Sequence, residues 1–539
     1  MIRIYNTLSK TKEKFKTVRP GKVGIYLCGP TVYKPSHIGH MVGPVIFDAI
    51  KRYLTYSGYD VKFIINITDV DDKLINESNS RNIPMAAVAE EMTADYLRNL
   101  EAMGVKESVS AFPKVSDHIG NIIDFTQVLI QKGFAYESDG DVYYDVGKFS
   151  EYGKLSHRSL DQMTGEGGST ADRKHTPFDF ALWKSAKLNE PAWDSPWGKG
   201  RPGWHIECSV MSRELLGETF DIHGGGLDLV FPHHENEVAQ SEARHGQPMC
   251  RYWMHNGLMQ ASSEIGKLGG RKTETKADIT KAGMERSAMT AGPPTPLPER
   301  AGDSVADAPD LASQEAGKIS KSKGSNAFSD MLKQVEPETI RFFLLSTHYR
   351  RPIDFSMERI EEVAKGLETF YRFAKRYEKI TGKNFYNLDV PKTRAEADSR
   401  KVCLPEVAEL RSKFLEAMDD DFNTGGAIGI LFDLLRVLNR FVDENKLESG
   451  GSRTEELTYG ASVLRELGLT LGLFRYPPKE AASAGDSELV GKLMTLLIEL
   501  RAAARKNKDF ATADKIRKDL TEFGIVLEDR PGETEWSLS

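Results

Sequence analysis

Only four cysteines occur in 539 residues (Cys28, Cys208, Cys250 and Cys403), which excludes a disulfide-built scaffold at this length. No apolar run reaches the ~18 residues that a membrane span needs. The first ten residues hold no apolar core of a signal peptide, so no secretory signal is expected. An excess of one charge is also missing. Lys plus Arg is 72 and Asp plus Glu is 79, leaving −7. That balance excludes a histone-like polycation but not a local basic face for nucleic acid. These absences predict a soluble, cytoplasmic protein without a membrane partner, in which cysteines are metal-binding, catalytic or inert rather than cross-linked.

Apolar residues make 40% and charged residues 28%, which excludes wholesale disorder. At about 150 residues per domain the length predicts three or four domains. Residues 261–316 contain no Phe, Tyr or Trp and carry the run PPTPLP at 293–298. Such a segment buries too little apolar surface to offset its ordering entropy and is expected to be a flexible, low-complexity insertion.

Residues 23–28 form a short apolar run ending at Gly29-Pro30, a strand followed by a turn. Residues 45–56 place Ile46, Ala49, Ile50 and Tyr53 on one helical face, and 61–67 is a second β-branched run. Strand, loop, helix, strand is a βαβ unit and predicts a parallel sheet whose crevice lies at the carboxyl ends of its strands. Cys28 and Thr68-Asp69 fall at those ends. Residues 84–103 and 116–132 read as amphipathic helices and 141–145 as a half-buried strand. The Gly-, Trp- and Pro-rich stretch to about 195 reads as an insertion between two halves of the sheet domain. From 337 onward the pattern is helical, at 355–382, 405–418, 425–445 and 453–471, which predicts a bundle. Residues 478–486 read as a linker, and 488–539 as two helices with a short strand-like tail.

Three groups of residues carry chemistry. Cys208 precedes the sequence HHENE at 233–237, where His233 and Glu237 stand at i and i+4 on a helix. With Cys28, and both thiols supplied from strand ends, they would make a Cys₂HisGlu set that suits zinc. His234 can replace His233 through an i, i+3 relation. Spacing alone favours the plainer alternative, ordinary polar residues on a helix and cysteines acting as small hydrophobes. Second, His37-Ile-Gly-His40 lies where a strand gives way to a helix, and helix N-termini attract phosphate. Third, KISKSKGS at 318–325 is a basic stretch suited to a leaving pyrophosphate, or simply a solvated charge run.

Together these features resemble the class I aminoacyl-tRNA synthetases, with 37–40 matching the HIGH motif and 318–322 the KMSKS motif. Within that class the chain is similar to the cysteinyl-tRNA synthetase family. The blocks that carry the likeness are CGPTVY at 28–33, NITDVDD at 66–72, GWHIECS at 203–209, DIHGGG at 221–226, FPHHENE at 231–237 and AMDDDFNT at 417–424. It runs from the first residues to Trp536. Ile319 stands where Met is usual, a conservative apolar exchange, and the 261–316 stretch is longer than the family normally carries before the lysine motif.

The resemblance implies an α/β fold: a class I Rossmann-type parallel-sheet catalytic domain with an inserted domain, then a helical bundle and a small C-terminal anticodon-binding domain. The halves of the catalytic domain would be 1–110 and 201–260, separated by a connective insertion at 111–200. The flexible insertion at 261–316, a signature-loop and stem-contact region at 317–380, the bundle at 381–477 and the anticodon domain at 488–539 would follow. It further implies activation of L-cysteine by ATP with Mg2+, then transfer to tRNA(Cys), by a monomer. His37, His40 and Lys321 would be catalytic and, with Lys318, would hold ATP. Cys28, Cys208, His233 and Glu237 would hold one Zn2+ and the substrate sulfur. Thr68, Trp204, His223 and Asp228 would complete the substrate pockets, or support them from behind. Arg501, Arg505, Lys506 and Arg517, with Lys508, Lys515 and Lys518, would meet tRNA phosphates, and Trp536 or Arg530 would stack on its bases. Rival readings are a paralogue joining cysteine to an amino sugar, which would lack 488–539, a non-catalytic RNA-binding paralogue, which would have lost the histidines or Lys321, and a structural zinc protein, which would not need the lysine motif.

Overall fold

The computed structural model describes residues 1–159, 171–187, 190–261, 327–478, 484–530 and 533–538. The lysine-rich stretch at 318–325, and all but Ala261 of the 261–316 segment, lie outside the described residues. Contacts divide the chain into Met1–Arg475 and Tyr476–Ser539.

The first unit is built on a parallel sheet. Its strands are β1 (Lys22–Leu27), β2 (Asp60–Ile65), β3 (Phe220–Gly226) and β4 (Cys250–Asn256), in the order β4–β3–β1–β2. All three pairings are parallel. Helix α1 (Gly39–Tyr56) connects β1 to β2, α2 (Trp204–Leu216) leads into β3, and α3 (Glu235–His245) connects β3 to β4. The order reverses between β1 and β3, so the crevice opens where Leu27 and Gly226 end their strands. The β-branched runs at 23–28 and 61–67 thus fall on β1 and β2, each two residues or fewer from the observed ends.

Both faces of the sheet are covered. On one face α1 buries Met41, Val45, Ile46, Phe47, Ala49, Ile50 and Tyr53, the spacing of a helix held between two layers. That core continues into the bundle of Pro405–Asp419, Thr424–Glu444 and Thr454–Thr470. On the other face α2 and α3 share a second core with the insertion. There Ala135–Ser138, Asp141–Tyr144, Phe180–Ser185 and Gly200–Pro202 form an antiparallel sheet in chain order. A long helix, Met357–Thr381, precedes the bundle.

The second unit consists of helices Ala484–Lys506 and Phe510–Glu522 and a hairpin, Ile525–Arg530 with Glu533–Leu538, around Met494, Leu520 and Leu527. The expected strand-like tail is therefore two paired strands. The expected linker at 478–486 loses its last three residues to the first helix, and 479–483 lie outside the described residues. Among the described residues no helix is long and apolar enough to cross a membrane.

Gly224 shows how tightly α1 lies on the sheet. A Cβ there would stand 2.2 Å from Phe47 Cζ, and that ring is fully buried. Gly224→Ala forces overpacking, which costs about 1–3 kcal/mol. Its apparent thermal unfolding midpoint is expected to drop clearly below that of the parent chain; an unchanged midpoint contradicts the packing described.

Candidate functional site

Cys28 follows β1 directly. The loop after it is held by Asn66, whose Oδ1 accepts from Gly29 N at 2.8 Å. A Cβ on Gly29 would come within 1.7 Å of the Asn66 carbonyl oxygen, so only glycine fits here. Across the crevice, α3 is a polar helix that is buried nonetheless. It remains stable because its polar groups are satisfied. Glu235 accepts from Gly153 N (2.9 Å) and Ser156 N (2.7 Å), and Tyr152 donates to Asn236.

Cys28, His233, His234 and Glu237 converge here, each with a ligand atom within 4.8 Å of the others. Cys208 Sγ lies 3.6 Å from Cys28 Sγ, and Cys28 Sγ 3.6 Å from Glu237 Oε1. His233 Nε2 stands 3.1 Å from Glu237 Oε1, and His234 Nε2 stands 3.2 Å from Cys28 Sγ. Both alternative histidines are thus brought in. The local geometry departs from expectation twice. Cys208 sits on α2 and not at a strand end. His233 and His234 lie in a wide turn, Val230–His234, with extended Phe231 inside it, so the regular helix begins at Glu235.

Burial favours the neutral form of the thiols and of His233 and His234. It pushes both thiols up, Cys28 far up, with the neighbouring sulfur and Glu237 adding to the effect on Cys28. It drives His233 and His234 well down, helped by adjacent imidazoles. The Cys28 thiol, two imidazoles and a carboxylate turned toward one another, with the Cys208 thiol 3.6 Å from that of Cys28, fit the ligand chemistry of zinc. Their outer atoms are held in turn. His205 Nδ1 meets His233 Nδ1 at 2.9 Å, His255 Nε2 meets His234 Nδ1 at 2.8 Å, and His223 Nε2 meets Glu237 Oε2 at 2.8 Å. Such partners fix ring orientation and ligand basicity. His223 therefore stands behind Glu237. Trp204 is part-exposed and stacks on His233, with centroids 4.3 Å apart. Thr68 is buried and donates to Glu207 Oε2 at 2.9 Å. Asp228 is half-buried, just past the end of β3.

His37 and His40 form a pair at the start of α1, with ring centroids 3.8 Å apart. Gly39 N donates to His37 Nδ1 (3.1 Å) and His37 N to His40 Nδ1 (3.2 Å). A neutral imidazole that accepts at Nδ1 carries its proton at Nε2. The pair stands at a helix N-terminus that has no acidic residue in its first turn, where phosphate is favoured. Lys318 and Lys321 lie outside the described residues.

In the second unit Arg501 is buried and bidentate to Asp529, at 2.7 and 2.8 Å. Arg505 (3.4 Å) and Arg517 (3.6 Å) also reach Asp529, whose carboxyl is held low chiefly by the Arg501 hydrogen bonds. Lys506, Lys508, Lys515 and Lys518 are exposed. Trp536 is half-buried opposite Leu527, against the unit's core. The side chain of Arg530 lies outside those described.

Sequence reasoning did not single out Asn66, His205, Glu207 or His255. The first three lie inside the motif blocks and were legible as polar residues beside ligands. His255 is on β4 with no motif around it, and only the fold brings it to His234.

A family model for the class I (C) tRNA synthetase catalytic domain matches residues 14–268 and 310–365. A DALR domain matches 413–475, and a cysteinyl-tRNA ligase anticodon-binding domain matches 495–536. Among solved structures, Mycobacterium tuberculosis methionyl-tRNA synthetase bound by methionyl-adenylate is similar in fold, with TM-score 0.54 at 13% identity, covering 84% of this chain and 91% of that one. Fold and matched domains thus define a class I aminoacyl-tRNA synthetase. Cysteine–tRNA ligases of Geobacter metallireducens and Pelobacter propionicus are each 42% identical over 100% of this chain and 99% of their own length. That of Geobacillus thermodenitrificans is 40% identical over 99% and 98%. The chain belongs to the cysteine–tRNA ligase family.

A metal held by these residues must displace the protons that burial keeps on the thiols. Zinc affinity of the metal-stripped chain is expected to rise by up to about a hundredfold per pH unit for two thiols, measured by chelator competition between about pH 6 and 8. A flat profile excludes the thiols as ligands.

Proposed function

We propose that this chain attaches L-cysteine to tRNA(Cys) in two steps. ATP with Mg2+ first activates the amino acid. The cysteine carboxylate oxygen bonds to the α-phosphorus, and the bond to pyrophosphate breaks. A ribose hydroxyl of the terminal adenosine of the tRNA then bonds to the carbonyl carbon, and AMP leaves. The observation that carries the reading is the convergence of Cys28, Cys208, His233, His234 and Glu237 at the carboxyl edge of the same sheet whose first helix begins with His37 and His40.

The physical problem is selection. Cysteine and serine differ by one atom in nearly one volume, and an apolar pocket separates such near-isosteres by only about 1–3 kcal/mol, roughly 10–200-fold. Zinc, when bound, supplies a soft acceptor that prefers sulfur to hydroxyl oxygen. Cys28, Cys208, His233 and Glu237 would hold it, with His234 turned toward Cys28 from the adjoining position. His205 and His223 keep a ring and a carboxylate oriented. Trp204 stacks on His233, and Thr68, held by Asn66 and Glu207, and Asp228 would complete the amino-acid and adenosine pockets.

His37 and His40 stabilise phosphate oxygens as charge grows on them, and Lys321, with Lys318, contacts the departing pyrophosphate. In the second unit the exposed Lys506, Lys508, Lys515 and Lys518 meet tRNA phosphates. Arg505 and Arg517 join them from the rim of the Asp529 cluster, while Arg501 braces the fold beneath, and Trp536 supports the platform on which unstacked bases lie. The domain limits suggested by the motifs, a monomeric chain and a cytosolic location belong to the same reading.

Cysteine-dependent ATP–pyrophosphate exchange and charging of a GCA-anticodon transcript test the reading. Both are expected; exchange without charging, or neither, refutes it. Cys208→Ala is expected to lose zinc and to raise the KM for cysteine by more than the ~10–100-fold that outer partners of a metal site cost, with the KM for ATP nearly unchanged. Normal metal content and normal cysteine affinity in that variant remove Cys208 from the ligand set.

A further inference from the structure

Asp48 lies on α1 about two turns beyond His40 and has no place in the chemistry above. Its side chain is wholly buried and carries three hydrogen bonds. Ser108 Oγ donates to Oδ1, and Arg52 Nε (2.8 Å) and Arg341 Nη2 donate to Oδ2. Burial alone raises this carboxyl, but the two guanidiniums outweigh it and hold it below the ordinary value.

Arg341 comes from α4 (Pro337–Leu345), 293 residues away in sequence, and is itself 2% exposed. Its other two nitrogens also donate, Nε to Leu471 O at 2.7 Å and Nη1 to Met103 O at 3.2 Å. Gly472 cradles the group, since a Cβ there would stand 2.4 Å from Nη2. One guanidinium thus ties α1 to α4, to the turn after helix Met85–Ala102 and to the end of the last bundle helix. A second tie runs beside it. Phe328 N donates to Ser36 O at 2.7 Å, one residue before His37.

A buried ion pair is poor evidence for stability, because a well-packed apolar pair of the same volume often does as well. What a planar fork adds is direction: donors at fixed angles to separate segments. We infer that Asp48 and Arg341 are positioning residues for the paired histidines, their buried contact setting the height and tilt of α1 and so the place of His37 and His40. This deepens the reading in which those histidines hold ATP phosphates, and rests on it. A displacement of about 1 Å at reacting groups is enough to cost about a hundredfold in rate. Arg341 acts through α1 and touches no substrate.

Two variants test this. Arg341→Lys keeps the charge and loses the fork. The double variant D48L/R341M removes both charges together, leaving neither buried alone. Cysteine-dependent exchange is measured with ATP and cysteine varied separately, together with calorimetric ATP binding, zinc content and unfolding midpoint. Both variants are expected to weaken ATP binding or lower kcat by about tenfold or more, with zinc content unchanged and the cysteine KM within about twofold of the parent. The inference is overturned if ATP binding and kcat stay within about twofold while only the midpoint falls, the signature of a purely structural pair, or if ATP and cysteine affinities decline in step. If the double variant does not fold, Arg341→Lys decides by the same criteria. A parent chain that binds ATP yet shows no cysteine-dependent exchange refutes the proposed reaction but not the role of the pair, which ATP binding by the variants still decides.

Discussion

Thiol, imidazole and carboxylate side chains from three distant stretches of sequence are packed together in one water-poor spot, and the architecture follows from that constraint. Cys28 comes from the end of β1, Cys208 from the middle of α2, and His233, His234 and Glu237 from the turn and first residues of α3. None of these groups is tolerable there alone. A buried thiol, imidazole or carboxylate without partners carries a desolvation cost of several kcal/mol. Their mutual contacts, and the ring of Asn66, His205, His223 and His255 behind them, make the burial possible. The polar α3 helix is buried for the same reason, satisfied by backbone donors from the insertion.

The sheet provides the frame. Its order reverses between β1 and β3, which opens a crevice at the strand ends where loops approach without breaking strand pairing. One face supports the ligand-bearing helices and the insertion, the other supports α1 and the bundle. The histidine pair and the thiol cluster therefore rest against the two different cores that flank one sheet. The two clusters are separable parts, joined through β1 and the loop that follows it.

Much of this was legible in the chain. The β-branched runs at 23–28 and 61–67 and the 3.6-residue spacing of Ile46, Ala49, Ile50 and Tyr53 marked β1, β2 and α1, because burial on both sides imposes strong patterns. The bundle helices fell within one or two residues of their expected ends. Placement of polar groups was less legible. Cys208 looked like a strand-end residue because a buried helix such as α2 shows no polar face to betray its period. The regular helix expected through His233 begins two residues later, at Glu235, after a wide turn interrupted by extended Phe231. Arg501 read as one of a basic run, yet Asp529, 28 residues on, returns across the hairpin to pair with it. Asp48 and Arg341 carried no local signal, since their partnership exists only once 293 intervening residues have folded.

The central claim is that Cys28 and Cys208 hold a soft ion that takes the thiol of the incoming amino acid. X-ray absorption at the zinc edge of the purified chain, recorded with and without L-cysteine, counts the sulfur neighbours directly. The account predicts two protein sulfurs without cysteine and a third on its addition, with L-serine leaving the count at two. A chain that purifies without zinc yet still refuses serine, or a sulfur count that cysteine does not change, contradicts it.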